Sequence, residues 1–195
     1  MSTKEKNDHK LENEHPAGSL DAIVVDPDDV IELMRRNERD RDEQRTHVLR
    51  ISPTFEGEKE ATPHVSESHT YYPPDLSQKP IHTAPEAFIV GHGAGSRHPD
   101  WRSEWSHPNY LEERSRFRDE FGVRDEHGDN RPMTDEEEEE WEEWWDTTVE
   151  MWEDRVRHAL KNTEGLTLTS EHPDIEDTTV AVRFADVHSS HSAKR

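Results

Sequence analysis

The chain has 195 residues, with 46 acidic against 24 basic side chains, a formal net charge of −22 and no Cys; Leu, Ile, Val and Phe together number 32, about 16%, below the roughly 20% that marks disorder when net charge is high. No apolar run approaches the ~20 residues of a membrane span, the polar stretch from Met1 to Asp8 leads into no signal-peptide core, and the lack of Cys excludes disulfides, thiolate metal sites and cysteine nucleophiles. An acidic surface repels phosphate, so no direct nucleic-acid binding is expected without a basic patch.

Residues 1–20 are polar and aperiodic and read as a disordered arm. Ala22 to Val25 is a short apolar run, a strand or a docking segment. Asp26-Pro27-Asp28-Asp29 starts a helix: Asp26 caps, Pro27 suits the first helical position, and the acids face the positive end of the helix dipole. Val30, Ile31, Leu33 and Met34 supply its apolar face, and Glu32–Arg36 is a favourable i,i+4 pair. His47 to Phe55 alternates, placing Leu49, Ile51 and Phe55 on one face and Val48, Arg50 and Ser52 on the other. With a turn at Glu56-Gly57-Glu58 and a return over Lys59 to Val65, it predicts a β-hairpin. Pro53 and Pro63 require an edge or a bulge.

Residues 66–86 form a Pro-rich connector, and Ala87 to Val90 reads as a short buried strand. Pro108 to Gly122 predicts a helix with a loose stripe of Tyr110, Leu111, Phe117 and Phe121. The strongest signal follows. Thr134-Asp-Glu-Glu137 is a capping box, and Trp141, Trp144, Trp145, Val149, Trp152, Val156, Ala159 and Leu160 recur at helical spacing. Acids crowd the start of this segment and Arg155, Arg157, His158 and Lys161 its end, with Glu153–Arg157 as an i,i+4 pair. Leu166 to Thr169 and Thr178 to Val187 alternate as two strands, and residues 188–195 form a polar, disordered tail. The expected fold is α+β, a single domain over 21–187: a small antiparallel sheet, from the 47–65 hairpin and the 166–187 pair, packed by the long Trp-rich amphipathic helix.

The charge balance points to a setting. Arg outnumbers Lys 17 to 7 and there are six Trp, too many for a solvating tail. In about 1 M salt the Debye length is only ~3 Å, so a large net charge costs little self-repulsion there. A folded, cytoplasmic, halophilic protein accounts for these counts better than disorder does.

Site motifs are sparse. Gly91-His92-Gly93-Ala94-Gly95-Ser96 follows a short apolar run, yet it lacks both the last glycine of the dinucleotide fingerprint and the lysine of a P-loop, so a surface loop is expected. His92, His98 and His127 are the histidines that a fold could bring together on a metal, with Asp100. Asp125 to Asn130 departs from the EF-hand spacing and reads as an acidic turn. There is no Gly-x-Ser-x-Gly elbow, and no cofactor is expected. Trp101 and Trp105, four apart in a polar Pro-bounded stretch with Arg97 and Arg102 beside them, are the candidate binding residues, either stapling this stretch to the core or presenting a partner-binding patch.

The segment Asp26 to Val65, with Val30-Ile-Glu-Leu-Met-Arg-Arg and His47-Val-Leu-Arg-Ile-Ser, together with Glu139 to Arg157, resembles small acidic uncharacterised proteins of haloarchaea. The resemblance implies a setting and no activity. The leading expectation is a non-enzymatic accessory protein that binds another protein through its sheet edge or the Trp101–Trp105 region. Two readings stand beside it: a metal-dependent enzyme using His and carboxylate ligands, and an acidic DNA mimic acting on a nucleic-acid-binding protein through the Asp135–Glu140 run.

Overall fold

A computed structural model describes residues 15–41, 45–67, 79–93, 105–169 and 175–185. Of the disordered arm expected over 1–20, residues 1–14 lie outside these residues, but Pro16–Ser19 forms a 3-10 turn that buries Ala17 in the main core and Leu20 opens the first strand. The tail expected over 188–195 lies outside them. Among the described residues four α-helices and a seven-stranded mixed sheet make an α+β fold. The strands are β1 (Leu20–Val25), β2 (Arg45–Ile51), β3 (Gly57–Glu67), β4 (Ile81–Thr83), β5 (His92–Gly93), β6 (Gly165–Leu168) and β7 (Thr178–Phe184). They lie in the order β4-β2-β3-β1-β7-β6-β5. The two expected antiparallel pairs, β2–β3 and β6–β7, are present. What joins them is β1, which runs parallel to both β3 and β7. The apolar run Ala22–Val25 is thus the centre of the sheet. It carries no alternation because a central strand of this kind is covered on both faces.

Helix α1 (Pro27–Arg39) begins as its sequence dictates, with the Asp26 carboxylate accepting from the Asp28 amide at 2.9 Å and Pro27 in the first turn. Its buried stripe of Val30, Ile31, Leu33 and Met34 faces Leu49, Ile51, Ile23 and Val25 of the sheet. Asn37 fastens its end to β2, accepting from the His47 amide at 2.7 Å and donating to the His47 carbonyl at 2.9 Å. Pro63 stands opposite Leu49, beyond the Gly57–Glu60 stretch that β1 pairs with, so no β1 carbonyl is left waiting for the N–H it lacks.

The connector over 66–86 also supplies β4, which adds antiparallel to β2. Ala87–Val90 is a one-turn helix, α2, rather than a strand. Its amides bond back to Ala84, Pro85 and Glu86 carbonyls, and Gly91 closes it in the left-handed region at φ 73°. A Cβ on Gly91 would sit 3.2 Å from the Gly165 carbonyl oxygen. Gly91→Ala is therefore expected to cost about 1–2 kcal/mol, read as a lowered midpoint in chemical denaturation.

Helix α3 (Tyr110–Glu120) and the long helix α4 (Asp135–Lys161) complete the fold. The capping box at Thr134 and Glu137 is formed, and Arg131 and the cap amide hold the Glu137 carboxyl down to about 2. Only the C-terminal half of α4 packs on the sheet, through Trp152, Val156 and Leu160. The N-terminal half reaches out to hold α3, with Trp141, Phe117 and Val123 in a second, separate core. The expected Glu153–Arg157 pair is replaced by tertiary contacts: Glu153 pairs with Arg35 and Arg157 with Asp28 at 2.7 Å, clamping α4 beside α1.

Candidate functional site

The segment from Trp105 to Asn109 threads between α1, α3 and α4. Asn109 fixes it at one end: its Oδ1 caps α3, accepting from the Leu111 and Glu112 amides at 3.0 Å each, while its Nδ2 donates to Glu38 of α1 at 2.7 Å. At the other end the Trp152 indole N–H donates to the Trp105 carbonyl at 2.8 Å. The Arg155 guanidinium lies over the Trp105 ring, 5.7 Å from its centroid, and that ring is half-buried against the main core. Between these anchors His107 is wedged edge-on to Trp152 and Trp145, at centroid distances of 4.7 and 5.9 Å. Its Nδ1 meets the Pro108 carbonyl at 2.8 Å, so Nδ1 carries the proton and Nε2 the lone pair. Burial lowers the His107 pKa, with a further push from Arg35, against opposing pulls from the Pro108 carbonyl, Glu38 and Glu153.

In front of this segment opens a cleft of about 690 Å³, walled by His107, Trp152 and Arg155 on one side and by Trp144 and Met151 of α4 on another. Glu113 is buried in its wall, paired with Arg116 at 3.0 Å. A second hollow of about 480 Å³ continues over the outer face of α4 toward Phe121, sharing Trp144, Thr148 and Met151 with the first. The two make one groove. Its floor is apolar and open: Met151 is 69% and Phe121 50% exposed. Glu140 and Glu143 line its far end. The Trp144 indole nitrogen is buried there with no hydrogen-bond partner, an arrangement that ordinarily costs about 1–3 kcal/mol.

Of the sequence candidates, Trp105 borders this groove through Trp152 and Arg155. Trp101, Arg97, Arg102 and His98 lie outside the described residues. His92 pairs through its backbone with Thr167 at the β5 edge, whereas His127 sits in an exposed turn beside Glu126, its side chain 77% exposed. Among the described residues no group of three His, Asp or Glu side chains is placed to hold a metal. The Asp125–Asn130 turn is closed on itself: the Asp125 carboxylate accepts from the His127 and Asp129 amides at 2.9 and 2.8 Å. Arg124 donates to the Gly128 carbonyl at 3.1 Å, placing a cation of the chain itself against the loop. No described helix is long and apolar enough to cross a membrane. No motif in the sequence marks His107 or Met151 as a site residue, and Phe121 stands there only as part of the apolar stripe of α3. Met151 falls between the core positions of the helical stripe, and an apolar residue set outside that stripe on an acidic helix was the available signal.

The sequence matches no curated protein and no solved structure. Over residues 10–186 it matches the family described as a domain of unknown function, DUF8009, and the chain belongs to that family.

Proposed function

We propose that this protein is a non-catalytic accessory protein of a salt-rich cytoplasm, and that the groove between α3, α4 and the 105–109 segment receives another protein. The observation that carries this reading is exposed Met151 beside half-buried Trp144 on a helix otherwise covered with carboxylates, with exposed Phe121 from the end of α3 edge-on to the same Trp. An aromatic and a Met left bare on a strongly hydrated surface mark an interaction site. The chemistry of the rim selects the partner. An apolar side chain would enter between Met151, Trp144 and Phe121, while Lys or Arg beside it would meet Glu140 and Glu143. In molar salt the Debye length of ~3 Å leaves only charges in contact effective. The apolar anchor supplies the affinity and the carboxylates set the register.

The test is recovery of partners from a lysate of the source cells in molar KCl by wild-type protein and by Met151→Asp and Phe121→Asp. Met151→Asp lies at an exposed position outside both cores; Phe121 stacks on Phe117 of the second core with centroids 4.5 Å apart, so the Phe121→Asp protein counts only where hydrogen exchange shows α3 still protected. A partner retained by the wild type and weakened by about tenfold or more in each variant supports the reading. Recovery of the chain alone as a monomer, or capture that ignores both substitutions, overturns it. A stoichiometric transition metal in untagged protein would favour a metal-dependent enzyme in its place.

A further inference from the structure

Helix α4 turns Trp152, Val156 and Leu160 to the sheet and Trp141 and Trp145 to α3. Beside these it carries a stripe that neither the sheet nor α3 covers. Thr147 and Thr148 stand at the middle of the stripe. Trp144 and Met151 lie three residues further out on either side, Glu140 and Arg155 seven, and Glu137 and His158 ten. On a helix that turns about 100° per residue, all four pairs share one arc of about 100°. None of these side chains is fully buried, and Glu140, Thr147, Met151, Arg155 and His158 are exposed. Measured from the point between Thr147 and Thr148, an apolar residue thus matches an apolar residue and an acid matches a base at equal distances. A surface with that property complements itself when turned end for end.

We infer that the occupant of the groove is a second copy of this chain, with the two α4 helices antiparallel about a two-fold axis between Thr147 and Thr148. This rests on the reading of the groove as a protein-binding surface and names its partner. Met151 of each copy enters the hollow of about 480 Å³ between Trp144 and Phe121 of the other. The two Thr are the shortest side chains of the stripe and let the helix axes close to about 8–10 Å. Toward the ends Glu140 meets Arg155 and Glu137 meets His158 of the second copy, and the helix dipoles oppose each other. A parallel pairing would set Glu140 against Glu140 and Glu137 against Glu137. The match does not depend on an uncommitted charge. Arg155 keeps its place over the Trp105 ring and Glu137 its bond to Arg131, and the opposite charge of the second copy joins each where it stands. Each copy carries a net charge of −22, a long-range repulsion that about 1 M salt confines to ~3 Å while charges in contact still act.

Sedimentation equilibrium of the full chain in about 1 M KCl, over a concentration series, tests the pairing. A reversible monomer–dimer equilibrium is expected. Met151→Asp sets a carboxylate against Trp144 on both sides of the axis and should weaken the dimer about tenfold or more. Glu140→Arg sets like charges together at both ends and should weaken it about threefold or more. Because the chain has no Cys, a single introduced thiol reports the geometry. Under mild oxidation Thr148→Cys, beside the axis, should give a disulfide-linked dimer, whereas Glu140→Cys, about 22 Å along the helix from its own copy, should not. A mass that stays monomeric at every concentration overturns the inference, as does a dimer indifferent to Met151→Asp or to Glu140→Arg, or equal cross-linking by the two Cys variants. A monomer that still retains a different protein through Met151 overturns the pairing and leaves the groove reading standing; a monomer that retains nothing removes both.

Discussion

Trp152→Ala is expected to lower stability by about 3–5 kcal/mol, the range for emptying a buried Trp site. Trp152 is 2% exposed and belongs to the main core with Val156 and Leu160. It also holds the Trp105–Asn109 segment through the bond to the Trp105 carbonyl and the edge-on contact with His107. The truncation therefore leaves a cavity and strips one wall from the groove in one step. For a chain of this size each kcal/mol lowers the melting temperature by about 2–4 °C, so a drop of roughly 6–20 °C is expected in a thermal melt. Trp152→Phe separates the two effects. It keeps most of the apolar contact and removes the N–H, and should cost about 1–3 kcal/mol for the carbonyl left without its donor. A Trp152→Ala protein that melts with the wild type would show that α4 does not join this segment to the core.

The parts of this fold that were legible in the sequence are those specified locally. The capping box at Thr134 and the acid-to-base gradient along α4 are properties of one segment, as are the Asp26-Pro27 start of α1 and the alternation through Leu49 and Ile51. The rest depends on partners distant in the chain. Ala22–Val25 looks the same whether it is an edge strand, a docking segment or the middle of a mixed sheet, because burial on both faces erases the period of two. Arg157 has a good neighbour four residues away in Glu153, but α1 brings Asp28 to it, and a tertiary pair wins over a helical one when the helices are already packed together. Ala87–Val90 is too short for any period to decide its type; the turn at Pro85–Glu86 and the left-handed Gly91 make it a helix.

The candidate sites follow the same division. The pair Trp101 and Trp105 stands out by its spacing of four in a polar, Pro-bounded stretch beside Arg97 and Arg102, and the structure describes only Trp105, held by Arg155 and bonded by Trp152 beside the groove. The groove itself joins residues from Ser106 to Arg155 through the packing of α3 on α4. The stripe on α4 is local by contrast, since its helical spacing and its run from acids to bases belong to one segment. Which of its residues stay exposed is settled only by α3 and the sheet covering the other faces of the helix.

That packing of α3 on α4 rests on one residue above all. Trp141 is buried with Phe117 and Val123, apart from the main core. Its indole N–H donates to the Tyr110 hydroxyl at 3.1 Å, and its ring is edge-on to those of Tyr110 and Phe117 at 5.2 and 5.6 Å. Arg114 lies over it at 5.8 Å while pairing with Glu138 at 2.5 Å. A cluster with three fully buried side chains among the described residues has little reserve. Trp141→Ala is expected to cost about 3–5 kcal/mol there and to release α3 together with the first turns of α4. The sheet should persist, because α1, β1, β2 and the second half of α4 form the other core. Hydrogen exchange reads this directly: amides over 110–145 should lose about two to three orders of magnitude of protection while those of β1 and β2 keep theirs. The groove would go with α3, since Phe121 and Glu113 would no longer face Trp144 and Met151, and a partner that binds there should be lost from a protein whose sheet still stands. Uniform loss of protection across both cores would instead make the helical hairpin and the sheet a single cooperative unit, and partner loss in this variant would then report only unfolding.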